Sequence, residues 1–313
     1  MTGSIRVAVY GAGAVGGFFG GRLAQTGADV SLIARGSHLE ILRKEGLRVR
    51  SVRGDFTIQP PATDDPNDVG PCDYVLFCVK SFDTEEASAR LGPLLKPGTA
   101  VVSLQNGVDN EEKIAASVGW DHVMGGVTYI FASIAEPGVI TDAGGPAKVI
   151  FGEFGSSTSS RAKRLLDLFQ RAGVNAELSD NIRGAIWYKF TFIVALAGMT
   201  AAVRLPIGDI RTTRESWEMF RRILEEVCAV AAAEGVILPQ DTVDQHMRFA
   251  EGLEAESYSS LYHDMTHGNR MELEALHGTA VRLGHRHGVA VPMCEAIYAT
   301  LRPWAARAMA RHA

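Results

Sequence analysis

Residues Ile5 to Gly21 constrain this chain more than any other stretch. The apolar run Val7-Ala8-Val9-Tyr10 breaks into Gly11-Ala12-Gly13-Ala14-Val15-Gly16 and continues into a helix-compatible sequence, Phe18 to Gln25. A strand, a glycine turn and a helix start in this order form the layout that binds a dinucleotide pyrophosphate. Gly11 permits the tight turn, Gly13 removes a side chain where backbone meets phosphate, and Gly16 lets helix pack on strand. Unbonded N–H groups at the helix start then face the anion. Gly11, Ala12, Gly13, Ala14, Val15 and Gly16 are therefore the candidate cofactor-binding turn. A lone GxGxxG is a weak signal, because glycine punctuates loops everywhere and Gly17, Gly20 and Gly21 raise the background. Its context strengthens it: the motif follows an N-terminal strand and precedes a second one, Val30 to Ala34.

A chain of 313 residues suits one large or two ordinary domains, and two are expected. With 46% hydrophobic and 21% charged residues it reads as soluble and globular. A net charge of -5 gives no electrostatic reason to expect nucleic acid or an anionic membrane as partner. Small soluble partners fit better. Cys72, Cys78, Cys228 and Cys294 form no C-x-x-C pair, which suits a reducing compartment and indicates neither disulfide nor zinc framework. The N-terminus shows no basic n-region and apolar h-region, so no signal peptide is expected and the cytoplasm is the default location. The most apolar long stretch, Phe190 to Val203, is too short for a membrane span and reads as a buried helix.

Taken in order, the chain next places Arg35 just after the second strand, where NAD-preferring sites of this fold put an acidic residue for the ribose 2′-hydroxyl. An arginine there suits the 2′-phosphate of NADP; the alternative is a surface arginine, since Arg43, Lys44 and Arg48 lie close by. No acidic residue in the sequence around it competes for the position. Leu47 to Ile58 reads as a hairpin turned at Arg53-Gly54-Asp55. Tyr74 to Val79 and Ala100 to Leu104 are apolar runs expected of strands buried on both faces, ending in Lys80-Ser81 and Gln105-Asn106-Gly107. Ligands in an open α/β sheet sit beyond the carboxyl ends of the strands, so both tips point towards a cofactor crevice. Further strands are expected at Val123 to Tyr129, Val139 to Asp142, Val149 to Phe154 and Val174 to Leu178, with a helix from Thr158 to Ala172.

From Asn181 strand signals vanish. Ile182 to Val203, Ile210 to Glu234, Thr242 to Ala250 and Met271 to His287 read as helices, with a last one after Pro292. The expected fold is thus α/β: a Rossmann-type sheet domain over residues 1–180, followed by an all-helical domain over 181–313. If the first half holds a nicotinamide, the second should supply a substrate pocket and a proton donor. Lys189, one position before a long apolar face, can polarise a carbonyl and donate that proton; the alternative is a snorkelling lysine at a domain interface. His263 and His267 stand four apart but lack an obvious carboxylate partner, so no metal site is expected. His285 and His287 would face different sides of a helix.

At these residues the chain resembles the ketopantoate reductase family, NADPH-dependent enzymes that reduce 2-dehydropantoate to pantoate. The resemblance runs over nearly the whole chain, through Gly11 to Gly16, Arg35, Lys80, Gln105-Asn106-Gly107, Asn181-Ile182-Arg183 to Lys189, Ser259-Ser260 with Asp264, Glu272, and His287 to Pro292. It implies that Lys189 is the proton donor, that Glu272 supports the lysine or substrate network, that Asn106 lies by nicotinamide and substrate, and that Ser260 contacts substrate. It further implies that Lys80 lies at the cofactor edge and that Arg35 meets the adenosine 2′-phosphate. Family members acting on ketopantoate carry asparagines where this chain has Ile193, Ala197 and Ile207. A pocket that hydrogen-bonds a substrate hydroxyl discriminates through such partners. The expectation is therefore a small-molecule 2-oxo acid with a more apolar side chain, with Ile193 and Ala197 among the substrate-binding positions. The competing readings are a β-hydroxyacid-type dehydrogenase, which shares a catalytic lysine, and a non-catalytic NADPH sensor. The helical domain could support a homodimer, though no feature demands one.

Overall fold

The computed structural model describes residues 4–155 and 159–312. They form two compact units, Met1–Gln105 with Asp109–Ala185, and Asn106–Val108 with Ile186–Ala313. The division runs through one helix and lifts three residues, Asn106 to Val108, out of the first half into the second unit.

The first unit carries strands β1 (Arg6–Tyr10), β2 (Asp29–Ile33), β3 (Leu47–Ser51), β4 (Phe56–Ile58), β5 (Ala62–Thr63), β6 (Tyr74–Phe77), β7 (Ala100–Ser103), β8 (Val123–Tyr129), β9 (Ala132–Glu136), β10 (Val139–Asp142), β11 (Lys148–Glu153) and β12 (Asn175–Leu178). Its helices are α1 (Ala14–Ala24), α2 (Gly36–Glu45), α3 (Thr84–Ala89), α4 (Asn110–Val118) and α5 (Ser160–Arg171). Eight strands form one sheet in the order β12-β11-β8-β7-β6-β1-β2-β5. All neighbours are parallel except β11 and β8. Every residue of β6 and β7 is buried, which is why both read as unbroken apolar runs. From β1 the chain moves outward to β2 and β5, then returns to the other side of β1 with β6. That reversal opens a crevice beyond the carboxyl ends of β1 and β6.

A second sheet has the order β4-β3-β10-β9. The expected hairpin forms as β3 and β4, and β10 joins β3 in parallel while β9 runs antiparallel to β10. The buried Asp142 carboxylate ties it together, accepting from Ser51 Oγ and Arg53 Nη1, each at 2.7 Å. β5 and β9 were not foreseen. β5 is two residues long, and four of the five residues of β9 are exposed, so neither shows the apolar alternation by which a strand is recognised. The expected start of the next helix, Thr158, lies outside the described residues; α5 is capped by Ser159, whose side chain accepts from the Ala162 N–H at 3.1 Å.

Beyond β12 no strand occurs among the described residues; the chain continues as α6 (Ile182–Val203), α7 (Ile207–Thr212), α8 (Arg214–Ala233), α9 (Thr242–Glu251), α10 (Ser260–His267), α11 (Thr279–His287) and α12 (Pro292–His312). α8 buries Phe220, Ile223, Leu224, Val227, Val230 and Ala231, the one-sided spacing of a surface helix. α6 extends N-terminally beyond the apolar stretch Phe190 to Val203, and as a whole it is long and apolar enough to cross a membrane. Its most apolar window is nevertheless 67% buried within the protein, as befits a core helix. The expected helix from Ile210 to Glu234 is two helices, broken at Thr213, whose φ of -96° and ψ of 111° are extended. Thr212 and Thr213 both turn their hydroxyls back onto the Asp209 carbonyl, at 3.1 and 2.9 Å, and such bonds compete with helix propagation. The expected helix from Met271 is also interrupted: Glu274–Gly278 is a π-helical turn, with the Gly278 N–H bonded to the Leu273 carbonyl at 3.0 Å, and α11 starts only afterwards.

Candidate functional site

In the first unit the glycine turn occupies the crevice beyond β1 and β6. Gly11 has φ +93°, and a Cβ there would come within 2.7 Å of the Val79 nitrogen, so the backbones close up only because this residue has no side chain. A Cβ on Gly16 would strike the Gly11 carbonyl oxygen. Gly13 differs from both. It is the N-cap of α1, and a Cβ there would meet only Ile134 Cδ1, at 3.9 Å, among the described residues. α1 begins without a side-chain cap and without an acid in its first turn. The N–H groups of Ala14, Val15 and Gly16 thus begin a helix that has no side-chain cap and whose N-cap Gly13 leaves room for a side chain it does not have, an arrangement that fits a pyrophosphate. Ala12 is buried, and its N–H and that of Gly11 both bond the Ile33 carbonyl at 3.0 Å, which fastens the turn to β2.

Arg35 is the N-cap residue of α2 and keeps 67% of its side chain exposed. Although no acid neighbours it in sequence, the fold brings Asp83 to it from 48 residues away, with Nη2 to Oδ2 at 2.5 Å and the carboxylate only 12% exposed. Lys80 is exposed beyond β6, and its carbonyl accepts from the Asp83 N–H at 2.8 Å, so the Lys80 and Arg35 positions are joined through Asp83. Asp83 lies three residues past the Lys80 tip and carried no signal of its own in the sequence.

At the end of β7, Gln105 is locked in place. Its side-chain N–H groups donate to the Val79 carbonyl at 2.9 Å and to Thr84 Oγ1 at 2.7 Å, which ties the β6 and β7 tips to α3. Asn106 follows directly.

In the second unit Lys189 Nζ donates to Asn106 Oδ1 at 2.8 Å, bringing together two residues 83 positions apart. Burial lowers the Lys189 pKa to about 8, and the Glu272 carboxylate, itself 8% exposed, opposes that shift. The preceding residue pins this turn of α6: the Tyr188 hydroxyl donates to Gln245 Oε1 at 2.7 Å, and the Tyr188 carbonyl accepts from His246 Nε2–H at 2.9 Å. Burial lowers the His246 pKa to about 4, so the imidazole is a neutral donor with its ring 4.3 Å from that of Tyr188. Neither Gln245 nor His246 was singled out from sequence; both sit on α9 and become supports only when it packs on α6.

Ser260 is exposed at the first turn of α10. Its neighbour Ser259 is buried, caps the helix by accepting from the Tyr262 N–H at 3.1 Å, and bonds Thr200 of α6 at 2.8 Å. Of the three positions where asparagines were missed, Ile193 is half-buried, one turn along α6 from Lys189. Ala197 and Ile207 are 1% and 0% exposed, inside the helical core. His267 Nδ1 donates to the His263 carbonyl at 2.7 Å. No group of three or more His, Cys, Asp or Glu side chains among the described residues could hold a metal ion.

Comparison with known proteins matches both halves. The family model described as "Ketopantoate reductase PanE/ApbA" covers residues 7–156, and "Ketopantoate reductase PanE/ApbA C terminal" covers 181–305. The 2-dehydropantoate 2-reductase of Halobacterium salinarum is 33% identical over 291 residues, 92% of this chain and 95% of that protein. Among solved structures, a PanE/ApbA family ketopantoate reductase from Ralstonia eutropha superposes with a TM-score of 0.90 at 35% identity, covering 97% of this chain and all of that one. A D-mandelate dehydrogenase in ternary complex with NADH and anilino(oxo)acetate superposes with a TM-score of 0.88 at 25% identity, covering 97% of this chain and 99% of that one.

Proposed function

The chain belongs to the ketopantoate reductase family of NADP-dependent oxidoreductases, and we propose that it reduces a 2-oxo acid more apolar than ketopantoate to the 2-hydroxy acid. The observation that carries this reading is the Lys189 ammonium, half-buried and hydrogen-bonded to Asn106 at 2.8 Å with its pKa lowered to about 8. NADPH, when bound, supplies the hydride. Gly11 to Gly16 bind its pyrophosphate, Arg35 meets its 2′-phosphate, and Lys80 lies at the cofactor edge.

Lys189 does the proton chemistry. Burial makes its ammonium a stronger acid than an exposed lysine, while the Glu272 carboxylate keeps it charged near neutrality, so it can both polarise a ketone oxygen and protonate the alkoxide. Asn106 fixes where the amine points, and Ser260 contacts the substrate. Half-buried Ile193, four residues past Lys189 on the same helix face, lines the substrate's side chain with hydrocarbon rather than an amide. The likeness to a dehydrogenase whose name denotes an aromatic 2-hydroxy acid supports the same substrate class.

The test is NADPH oxidation against a panel of 2-oxo acids, with ketopantoate beside branched and aromatic ones. The expected result is higher kcat/KM on the apolar acids; efficient ketopantoate turnover well above the rest would overturn the substrate assignment. Lys189→Ala is expected to abolish reduction while NADPH still binds, and unchanged turnover would remove the lysine from the mechanism.

A further inference from the structure

We propose that the hairpin of β9 and β10 is the outer wall of the dinucleotide site, that Ile134 on it is a cofactor-contacting residue, and that His38 holds it there. The inference rests on the reading that NADPH binds at the glycine turn.

Ile134 and Ile140 are directly opposed across the hairpin, so their side chains leave the sheet on the same face. Ile140 is fully buried against α1, where a Cβ on Gly17 would collide with its Cδ1. Ile134 stands one helical turn earlier, beside Gly13, at the uncapped end of α1. There it is 46% exposed. The hairpin thus spends one isoleucine on packing the helix and presents the next to the space where the helix N–H groups face an anion.

The hairpin is held at that spot by a residue of α2. His38 Nε2–H donates to the Ala12 carbonyl at 2.8 Å, and His38 Nδ1 accepts from the Gly138 N–H at 3.0 Å. Accepting on one nitrogen while donating from the other requires the neutral ring, and burial lowers its pKa in the same sense. One imidazole therefore staples the glycine turn to the tip of the hairpin, where Gly138 has φ +77° and a Cβ would collide with Ile41 of α2. Ser133 and Thr141 share a hydroxyl hydrogen bond at 2.9 Å across the same strands.

An aliphatic wall beside backbone N–H groups excludes water from the hydrogen bonds they make to a pyrophosphate, and such bonds strengthen as the local dielectric falls. Because Ile134 stands beside Gly13 of the turn, and the pyrophosphate that the turn would hold is common to both dinucleotides, its contribution is the same for NADPH and NADH. The experiment is direct titration of both dinucleotides by intrinsic fluorescence, with thermal melting alongside. Ile134→Asp sets a carboxylate beside the anion site and is expected to raise Kd at least tenfold for both cofactors. Ile134→Ala should raise both by severalfold, Ile134→Leu should restore binding, and Tm should stay put because the side chain is exposed. His38→Ala should weaken both cofactors in parallel. Wild-type Kd values in Ile134→Asp, or a loss confined to NADPH, would overturn the proposal. A wild-type protein that binds neither dinucleotide would remove the cofactor reading beneath it.

Discussion

Lys189 is held between two influences, burial that lowers its pKa to about 8 and the Glu272 carboxylate that raises it. Reduction requires the ammonium form, so kcat/KM for reduction should be level below pH 8 and fall as pH rises through it. Glu272→Gln removes the influence that raises the pKa, and the fall should begin at lower pH; a profile that stays in place would strip Glu272 of that role. Arg35 is likewise shared, since Asp83 holds it at 2.5 Å. Arg35→Ala removes the cation and leaves the mostly buried Asp83 carboxylate without it, so a 2′-phosphate there would meet net repulsion. NADPH affinity should fall by about tenfold or more, roughly 1.4 kcal/mol, while NADH is little affected. Equal losses would end the assignment. Lys189 and Asn106 could be picked from the sequence because one stands beside an apolar helix face and the other at a strand end, whereas Glu272 came only with the family resemblance. Asp83 and His38 could not, because their partners Arg35 and Gly138 are 48 and 100 residues away and only packing brings them near.

Elements whose apolar residues follow one period were legible. β6, β7 and α8 declare themselves by runs or one-sided spacing, and α1 by the glycine turn before it. The π-helical turn at Glu274–Gly278 was not, because an extra residue in a helical turn leaves no mark on a 3.6-residue pattern. It follows Glu272 by two residues and carries His277, which is fully buried and whose pKa burial lowers to about 3. The ring fits beneath α6 because position 198 is glycine: a Cβ there would collide with His277 Nε2. Gly198→Ala should therefore cost about 1–3 kcal/mol through overpacking, visible as a lower Tm. An unchanged Tm would mean that the π turn yields to the added methyl.

At the scale of the whole molecule, the α/β character of the first half and the helical second half follow from the sequence alone. Strands buried on both faces have to read as apolar runs, and the change from strand to helix periodicity at Asn181 is a local property of the chain. The glycine turn, Arg35 and Lys189 belong to that legible part, since each is defined by what stands next to it. The order of the strands, the second sheet, and the grouping of Asn106–Val108 with the helical unit do not. Those depend on pairings between segments that carry no mark of one another. The donors and acceptors that complete the candidate site, Asp83 to Arg35, Asn106 to Lys189 and His38 to Ala12, became partners only when the backbone closed and brought distant segments together.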